Sequence, residues 1–378
     1  MLDPRRVGNF KDLTTKMTKR VLLTGATGAL GRALLPELLE QGYEVVCLIR
    51  PQKGLSAEAR LVELTDHPAA HALLGDITLP LCGIDPARLT GIDKIVHSAA
   101  DTSLDQGSEA RVINSNISGT RHCLELAEAL GNPEFHYVGT AYIAGDAPTL
   151  GEQQPDAPLA VGIARNPYEA SKVKAEELVR AYHGQFSVQR PSIVVGRGDG
   201  RAAPRLEGLQ GFVRRIYALK TSIHGGGYKD EDGAVINATY KLKLAIGIDD
   251  ADDVSLNLIQ LDWLARTQAA LIGLPARGRT YNLTHPQSMH VRDLLTAVME
   301  ALELNYVTIV RDAPGWTLSP IKLAIRRLVK RELTHLKPYL MHSPQFESRN
   351  LYADLGPGWP EPAAITPAFI RATLRADG

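Results

Sequence analysis

With 378 residues, 44% of them apolar and 22% charged, the chain has the length and composition of one large α/β domain or two smaller ones around a sizeable core. Lysine plus arginine and aspartate plus glutamate balance at 42 each, so no global field favours nucleic acid or an anionic membrane. Three dispersed cysteines, Cys47, Cys82 and Cys123, argue against a disulfide framework or a cysteine-cluster metal site and fit a reducing, cytoplasmic compartment. Residues 1–18 carry Arg and Lys without an apolar stretch and read as a short N-terminal extension, not a secretory leader. No apolar run reaches the length of a membrane span.

From Lys19 onward strands alternate with helices. RVLLTG predicts a strand, and ALGRALLPELLEQG a helix with Leu30, Leu34 and Leu38 in register and Gly42 as its stop. Pro36 inside that helix predicts a kink or local irregularity. YEVVCLIR, HALLGDI and KIVHSAA supply the next three strands, and GSEARVINSNISGTRHCLELAEALG a long helix. EFHYVGTAYIAG contains a fifth strand, residues 166–183 a helix, and FSVQRPSIVVG a sixth strand. This alternation means βαβ crossovers and a doubly wound parallel sheet, a Rossmann-type α/β core over residues 19–195.

Beyond Gly196 the pattern changes, and residues 196–378 read as a smaller C-terminal α/β substrate-binding lobe whose segments partly return to the core. SLNLIQLDWLARTQAALIGL predicts a strand and a helix capped by Asp262, SMHVRDLLTAVMEALEL an amphipathic helix, and NYVTIV a late strand. Residues 320–337, between Ser319–Pro320 and Pro338, predict another helix.

VLLTGATGALGR sets Gly25, Gly28 and Gly31 between the first strand and the first helix. Glycines there permit a tight turn and close approach of backbone to a pyrophosphate, while the helix N-terminus offers oriented N–H groups. The spacing is GxxGxxG, one residue away from the GxGxxG fingerprint, but its place after a β-rich run makes it a dinucleotide loop. Arg50 ends the second strand, where an NAD enzyme carries an acidic residue for the ribose 2′-hydroxyl. An arginine suits a 2′-phosphate and so favours NADP(H), with Arg32 adding charge; the alternative is a solvated loop arginine. Asp76 is placed either to accept from the adenine amino group or to cap a turn.

Of twelve tyrosines, Tyr168 alone has a lysine, Lys172, four residues on, which places both on one helix face. A nearby ammonium favours tyrosinate, lowers the phenol pKa and makes Tyr168 a usable acid or base, while Lys172 can also hold the nicotinamide ribose. Such a pair alone is more often a surface contact. Downstream of a dinucleotide loop it becomes the best candidate for chemistry.

Taken together, TGATGALG, GDI, VHSAA, NISGT, NPYEASK and RPSIVVG, in this order over roughly residues 19–200, resemble the extended short-chain dehydrogenase/reductase superfamily. The resemblance implies catalytic Thr140, Tyr168 and Lys172, with the Thr140 hydroxyl stabilising the oxyanion that develops on a substrate carbonyl. It implies NADPH contacts from Gly25, Thr27, Gly28, Ala29, Leu30, Gly31 and Arg32 in the loop and from Arg50, Asp76 and Ile77 beyond it. Further contacts are implied from Ser98, Ala99, Ala100, Asn116, Lys172, Pro191, Ser192 and Ile193. Asn116 is expected to link its helix to the fourth strand, the alternative being that it orders an active-site water.

Within the superfamily, VHSAADTSL, GTAYIAGD and NPYEASKVKAEELV are most similar to the male-sterility type: fatty acyl-CoA reductases and the reductase domains that act on carrier-bound thioesters. The expected activity is hydride transfer from NADPH to an acyl thioester, giving an aldehyde, or to a ketone or aldehyde. No adenylation or carrier domain is read in these residues, so a thioester would arrive on CoA or on an acyl or peptidyl carrier protein. Homodimerisation is carried over from relatives as an analogy. Competing readings are a nucleotide-sugar epimerase or dehydratase, which keeps NAD and which Arg50 counts against, and a non-catalytic NADP sensor, which would not need the Tyr–Lys pair.

Two further features carry less. The aspartates of GIDDADDV (247–254) lack companion ligands and read as a solvated turn, so no metal is expected. Helix 320–337 sets Lys322, Arg326, Arg327, Lys330 and Arg331 opposite an apolar stripe, which is either a docking face for an acidic carrier, CoA phosphates or a membrane, or a solvated surface.

Overall fold

The computed structural model describes residues 19–50, 52, 54–104, 106–153, 158–199, 254–303 and 342–377, with shorter pieces between 203 and 247, 307–310 and Tyr339. The N-terminal extension, the acidic turn apart from its ends, and helix 320–337 lie outside the described residues.

Seven parallel strands form one sheet: β1 (Arg20–Thr24), β2 (Glu44–Ile49), β3 (Ala70–Leu74), β4 (Lys94–His97), β5 (Glu134–Val138), β6 (Phe186–Pro191) and β7 (Arg279–Leu283). Their spatial order is 7-6-5-4-1-2-3, which places the switch between leftward and rightward winding at the β1/β4 gap. A doubly wound sheet binds ligands at the carboxyl ends of the strands flanking that gap.

Burial on both faces explains why the strands read as continuous apolar runs. Val21 and Leu23 of β1 point into a core with Leu34, Leu35 and Leu38 of α1 (Ala29–Glu40), whereas Leu22 packs on the opposite face with Cys123, Leu126 and Ala175. Between β2 and β3 lies a short helix, α2 (Ala57–Val62). The long helix expected after β4 is observed as α3 (Glu109–Ile113), a π turn over Asn114–Ser118, and α4 (Gly119–Ala129). Next comes α5 (Pro167–Arg180), capped by Asn166, whose Oδ1 accepts from Glu169 N–H at 2.9 Å.

Several expectations are corrected. Helix α1 runs unbroken through Pro36. The single sixth strand is two: Pro191 has no N–H to donate, and the chain hands over at Ser192, after which Ile193–Val195 pairs with Leu258–Gln260. Asp262 does not cap its helix, α6 (Leu261–Gly273), from the N-cap position, which is Gln260; instead its Oδ1 accepts from Gly198 N–H at 2.8 Å. Strand β7, absent from the sequence-based set, joins the sheet beside β6, and Ala269 and Ile272 of α6 pack with α1. A second core gathers Tyr142, Val195 and Leu258 around Leu294, Leu295 and Val298 of α7 (Val291–Ala301). The late strand expected in NYVTIV is present at Val307–Val310, parallel to Leu244–Gly247.

Candidate active site

The glycine loop fits its expected job for steric reasons. Gly25 has φ +76°, and a side chain there would put its Cβ 2.8 Å from Ala99 N. A Cβ on Gly31 would sit 2.2 Å from Gly25 O, so only glycine lets α1 start this close to the loop. Gly28 is the N-cap of α1, whose end has neither a side-chain cap nor an acidic residue in its first turn. Its N–H groups from Ala29 onward therefore suit an anionic ligand. Leu30 turns to the core instead, packing with Ala33 and Leu261. Arg32 folds back, its Nε donating to Thr27 O at 3.2 Å.

At the end of β2, Arg50 is exposed and beside it lies an arginine the sequence reading missed. Arg60 of α2 is 5% exposed; its Nη1 donates to Arg50 O at 2.7 Å and its Nη2 to Thr27 Oγ1 at 3.2 Å. It thus bridges the glycine loop and the tip of β2, the location expected for a 2′-phosphate. The signal was present in SAEARLV: Ser56 Oγ accepts from Ala59 N–H at 3.1 Å, a helix N-cap.

Asp76 Oδ1 accepts from Thr78 N–H and Thr78 Oγ1, each at 2.9 Å, so Asp76 caps the turn after β3. Ile77 is buried over Gly119, and its carbonyl accepts from His122 Nδ1 at 2.8 Å.

After β4, the Ser98 and Ala99 N–H groups both donate to Thr24 Oγ1 at 3.2 Å. That hydroxyl therefore donates to His97 Nδ1 (2.8 Å), and Nε2–H donates to Thr120 Oγ1 (3.0 Å), which donates to Asn116 O (2.7 Å). Burial, reinforced by the Lys172 charge, holds the His97 pKa down to about 3, so the ring is neutral in this chain of bonds. Ala100 follows in the same loop. Asn116, in the π turn, accepts from Asp101 N–H at 2.7 Å and donates to Asp101 O and Ser171 Oγ at 2.9 Å each. It ties the loop after β4 to α5, more widely than the link to the fourth strand expected of it.

Thr140 caps the turn Ala141–Ala144 after β5; its Oγ1 accepts from Tyr142 N–H at 3.2 Å and donates to Pro191 O at 3.4 Å. Tyr168 and Lys172 face it from α5. Burial pushes the Tyr168 phenol up to about 12, opposed by a hydrogen bond with Thr140. This differs from the expected lowering by Lys172, because the Lys172 ammonium is directed to Val138 O at 2.7 Å and lies 4.5 Å from the Tyr137 ring centre. Lys172 is 3% exposed, and burial pushes it down to about 7 against the attraction of Glu176. Tyr168 thus keeps its proton at neutral pH, beside a lysine whose pKa lies near neutrality.

The far wall is the β6 hand-over. Ser192 N–H donates to Leu283 O at 3.1 Å and Ile193 N–H to Asn257 O at 3.2 Å. The buried Ser192 Oγ has no hydrogen-bond partner among the described residues. An uncapped helix end, a loop without Cβ atoms at its contacts and this orphaned hydroxyl fit a dinucleotide lying across the β1/β4 gap. Among the described residues no group of three or more His, Cys, Asp or Glu could hold a metal, and no helix is long and apolar enough to cross a membrane.

Comparison with known proteins places this site in context. The profile of the family described as Male sterility protein matches residues 23–267. A polyketide synthase–nonribosomal peptide synthetase hybrid, himA of Aspergillus japonicus, is 29% identical over 231 residues; the match covers 56% of this chain and 6% of that relative's length. Among solved structures, the terminal R domain from the myxalamid PKS-NRPS pathway superposes with a TM-score of 0.69 at 21% identity, covering 95% of this chain and 90% of that one. The thiolation-reductase di-domain of an archaeal non-ribosomal peptide synthetase gives 0.65 at 18% identity, covering 95% and 89%.

Proposed function

The chain belongs to the male sterility protein family, within the extended short-chain dehydrogenase/reductases, and from that premise we propose that it is an NADPH-dependent reductase of acyl thioesters. It is an NAD(P)-dependent oxidoreductase by family; the thioester and the 2′-phosphate are the further steps. The observation that carries the reading is the convergence of Thr140, Tyr168 and Lys172 at the carboxyl ends of β5 and α5's first turns, facing the β6 hand-over.

Gly25, Thr27, Gly28, Ala29, Gly31 and the end of α1 would hold the pyrophosphate, and Lys172 and Ser192 the nicotinamide end. When bound, such a dinucleotide would supply the hydride. Thr140 and Tyr168 hold the carbonyl oxygen, and Tyr168 donates the proton. Lys172, when charged, stabilises the tyrosinate left behind. With a thioester the adduct collapses to aldehyde and thiol, and no cysteine is required: Cys47, Cys82 and Cys123 are all buried thiols. Arg60 and Arg50 at the β2 tip favour NADPH over NADH. The resemblance to reductase domains of multidomain synthetases supports a carrier protein or CoA as the bearer of the substrate.

The test is NADPH oxidation by purified protein against acyl-CoAs, acyl carriers, ketones and UDP-sugars. Turnover with thioesters supports the reading, and copurified NAD with no net NADPH consumption overturns it. Tyr168→Phe is expected to lower kcat by about 10²–10⁴-fold while NADPH binding, followed by fluorescence, persists.

A further inference from the structure

One turn along α5 from Lys172 lies a buried ionic cluster that none of the catalytic steps uses. Glu176 is 0% exposed, as is Arg190 on β6. Arg190 Nε donates to Glu176 Oε2 at 3.0 Å and Nη2 to Oε1 at 2.5 Å, a bidentate fork. Arg180 Nε donates to the same Oε1 at 3.1 Å. Arg190 also donates to Gln153 Oε1 at 2.7 Å and Gly151 O at 3.3 Å, so the carboxylate it grips is locked in place.

Glu176 is one turn along α5 from Lys172, and both are buried, so both project from the sheet-facing side of the helix. Arg190 is the residue before Pro191, whose carbonyl accepts from Thr140. The cluster therefore joins, in one rigid unit, the helix that carries Tyr168 and Lys172 and the strand end that forms the far wall.

We propose that Glu176, gripped by Arg190 and Arg180, is a positioning residue that fixes where Lys172 sits and how readily it holds its proton. The inference rests on the reductase reading for its catalytic meaning, though not for its test. Among the described residues, Glu176 is the one carboxylate whose charge acts on Lys172. Tyr137 of β5 presents its ring face, Val138 its carbonyl, and His97 of β4 is neutral. Tyr168 precedes Lys172 on α5, and Glu169, the other buried carboxylate of that helix, is forked by Arg165. Burial works against the charged lysine, and Glu176 opposes it. A Glu176 carboxylate shared between two arginines exerts only part of its pull, which leaves Lys172 poised near neutrality instead of permanently charged.

The experiment follows the titration of Lys172 by carbon-13 NMR in protein labelled at the lysine ε-carbon, with the signal assigned by its loss in Lys172→Met. No substrate is needed, so failure of the reductase assay and failure of this inference are separate outcomes. Glu176→Gln is expected to lower the Lys172 midpoint by about one unit or more, and Glu176→Asp to hold it near the wild-type value. Arg180→Met leaves the Arg190 fork in place, frees part of the Glu176 charge and is expected to raise the midpoint. A folded Glu176→Gln protein titrating as the wild type overturns the proposal. Should circular dichroism show that variant unfolded, Arg180→Met decides, read against Lys174→Met, which removes an exposed cation of the same helix that pairs with Glu177 and not Glu176: an upward shift larger than the control's supports the role, and one no larger overturns it. A purely structural cluster would change the melting temperature and leave these titrations alone. Where turnover is measurable, the basic limb of kcat/KM should move in step with each midpoint.

Discussion

Under the proposed mechanism Lys172, 3% exposed and pushed down by burial to about 7, and Tyr168, pushed up by burial to about 12, would divide the work of proton transfer by environment. Tyr168 keeps its proton throughout the physiological range, so the titrating group is the lysine. Reduction should be favoured while Lys172 is charged, and kcat/KM, which reports the free enzyme, should fall as pH rises through about 7. A profile flat from pH 6 to 9 would contradict this assignment of roles. At the other end of the site, Arg60→Ala should weaken NADPH binding about tenfold or more, the worth of about one charged hydrogen bond, and leave NADH binding nearly unchanged. Equal losses for both dinucleotides would place Arg60 in loop support and not in phosphate recognition.

Among the elements, the helix after β4 is interrupted by a π turn at Asn114–Ser118. π turns often occur at functional sites, and here the widened turn carries Asn116, 1% exposed, against both Asp101 and Ser171. Ser171 Oγ in turn donates to Tyr168 O at 2.7 Å, so the bonds of one asparagine reach the backbone of the proposed acid. Asn116→Ala leaves the Asp101 backbone groups without those partners and is expected to cost about 1–3 kcal/mol in urea unfolding, with a further loss in kcat. The NISGT string was visible in the sequence, but which groups Asn116 would bind was not. Asp101 is 15 residues away and Ser171 is 55, and pairings across such distances are set by packing.

For the whole molecule, Asn282 on β7 plays a comparable part between distant segments. It is fully buried; its Nδ2 donates to Leu150 O at 3.2 Å and Glu347 O at 2.8 Å, and its Oδ1 accepts from Arg190 at 3.4 Å. Its N–H donates to Glu152 at 3.0 Å. Asn282→Ala should destabilise the chain by roughly 2 kcal/mol or more, since the buried Leu150 carbonyl, the part-buried Glu347 carbonyl and Arg190 lose a partner at once. Matched denaturant curves for variant and wild type would check it, and a loss below about 0.5 kcal/mol would mean that water replaces the side chain.

What the linear order of residues determined was local. The glycines of TGATGALG, the Tyr168–Lys172 spacing and the alternation of strand and helix follow from backbone sterics and from helix and strand periods, which act over a few residues. The Rossmann-type sheet follows from that alternation. Only the tertiary structure decided that β7 closes the sheet beside β6, that FSVQRPSIVVG divides at Ser192, and that Arg60 returns to the glycine loop. The same holds for the acidity of Tyr168. An i,i+4 lysine predicts a lowered phenol, but burial raises it while Val138 O and the Tyr137 ring take up the ammonium. Desolvation and long-range hydrogen bonding depend on what the whole chain brings near a group, and a helix repeat carries no record of that.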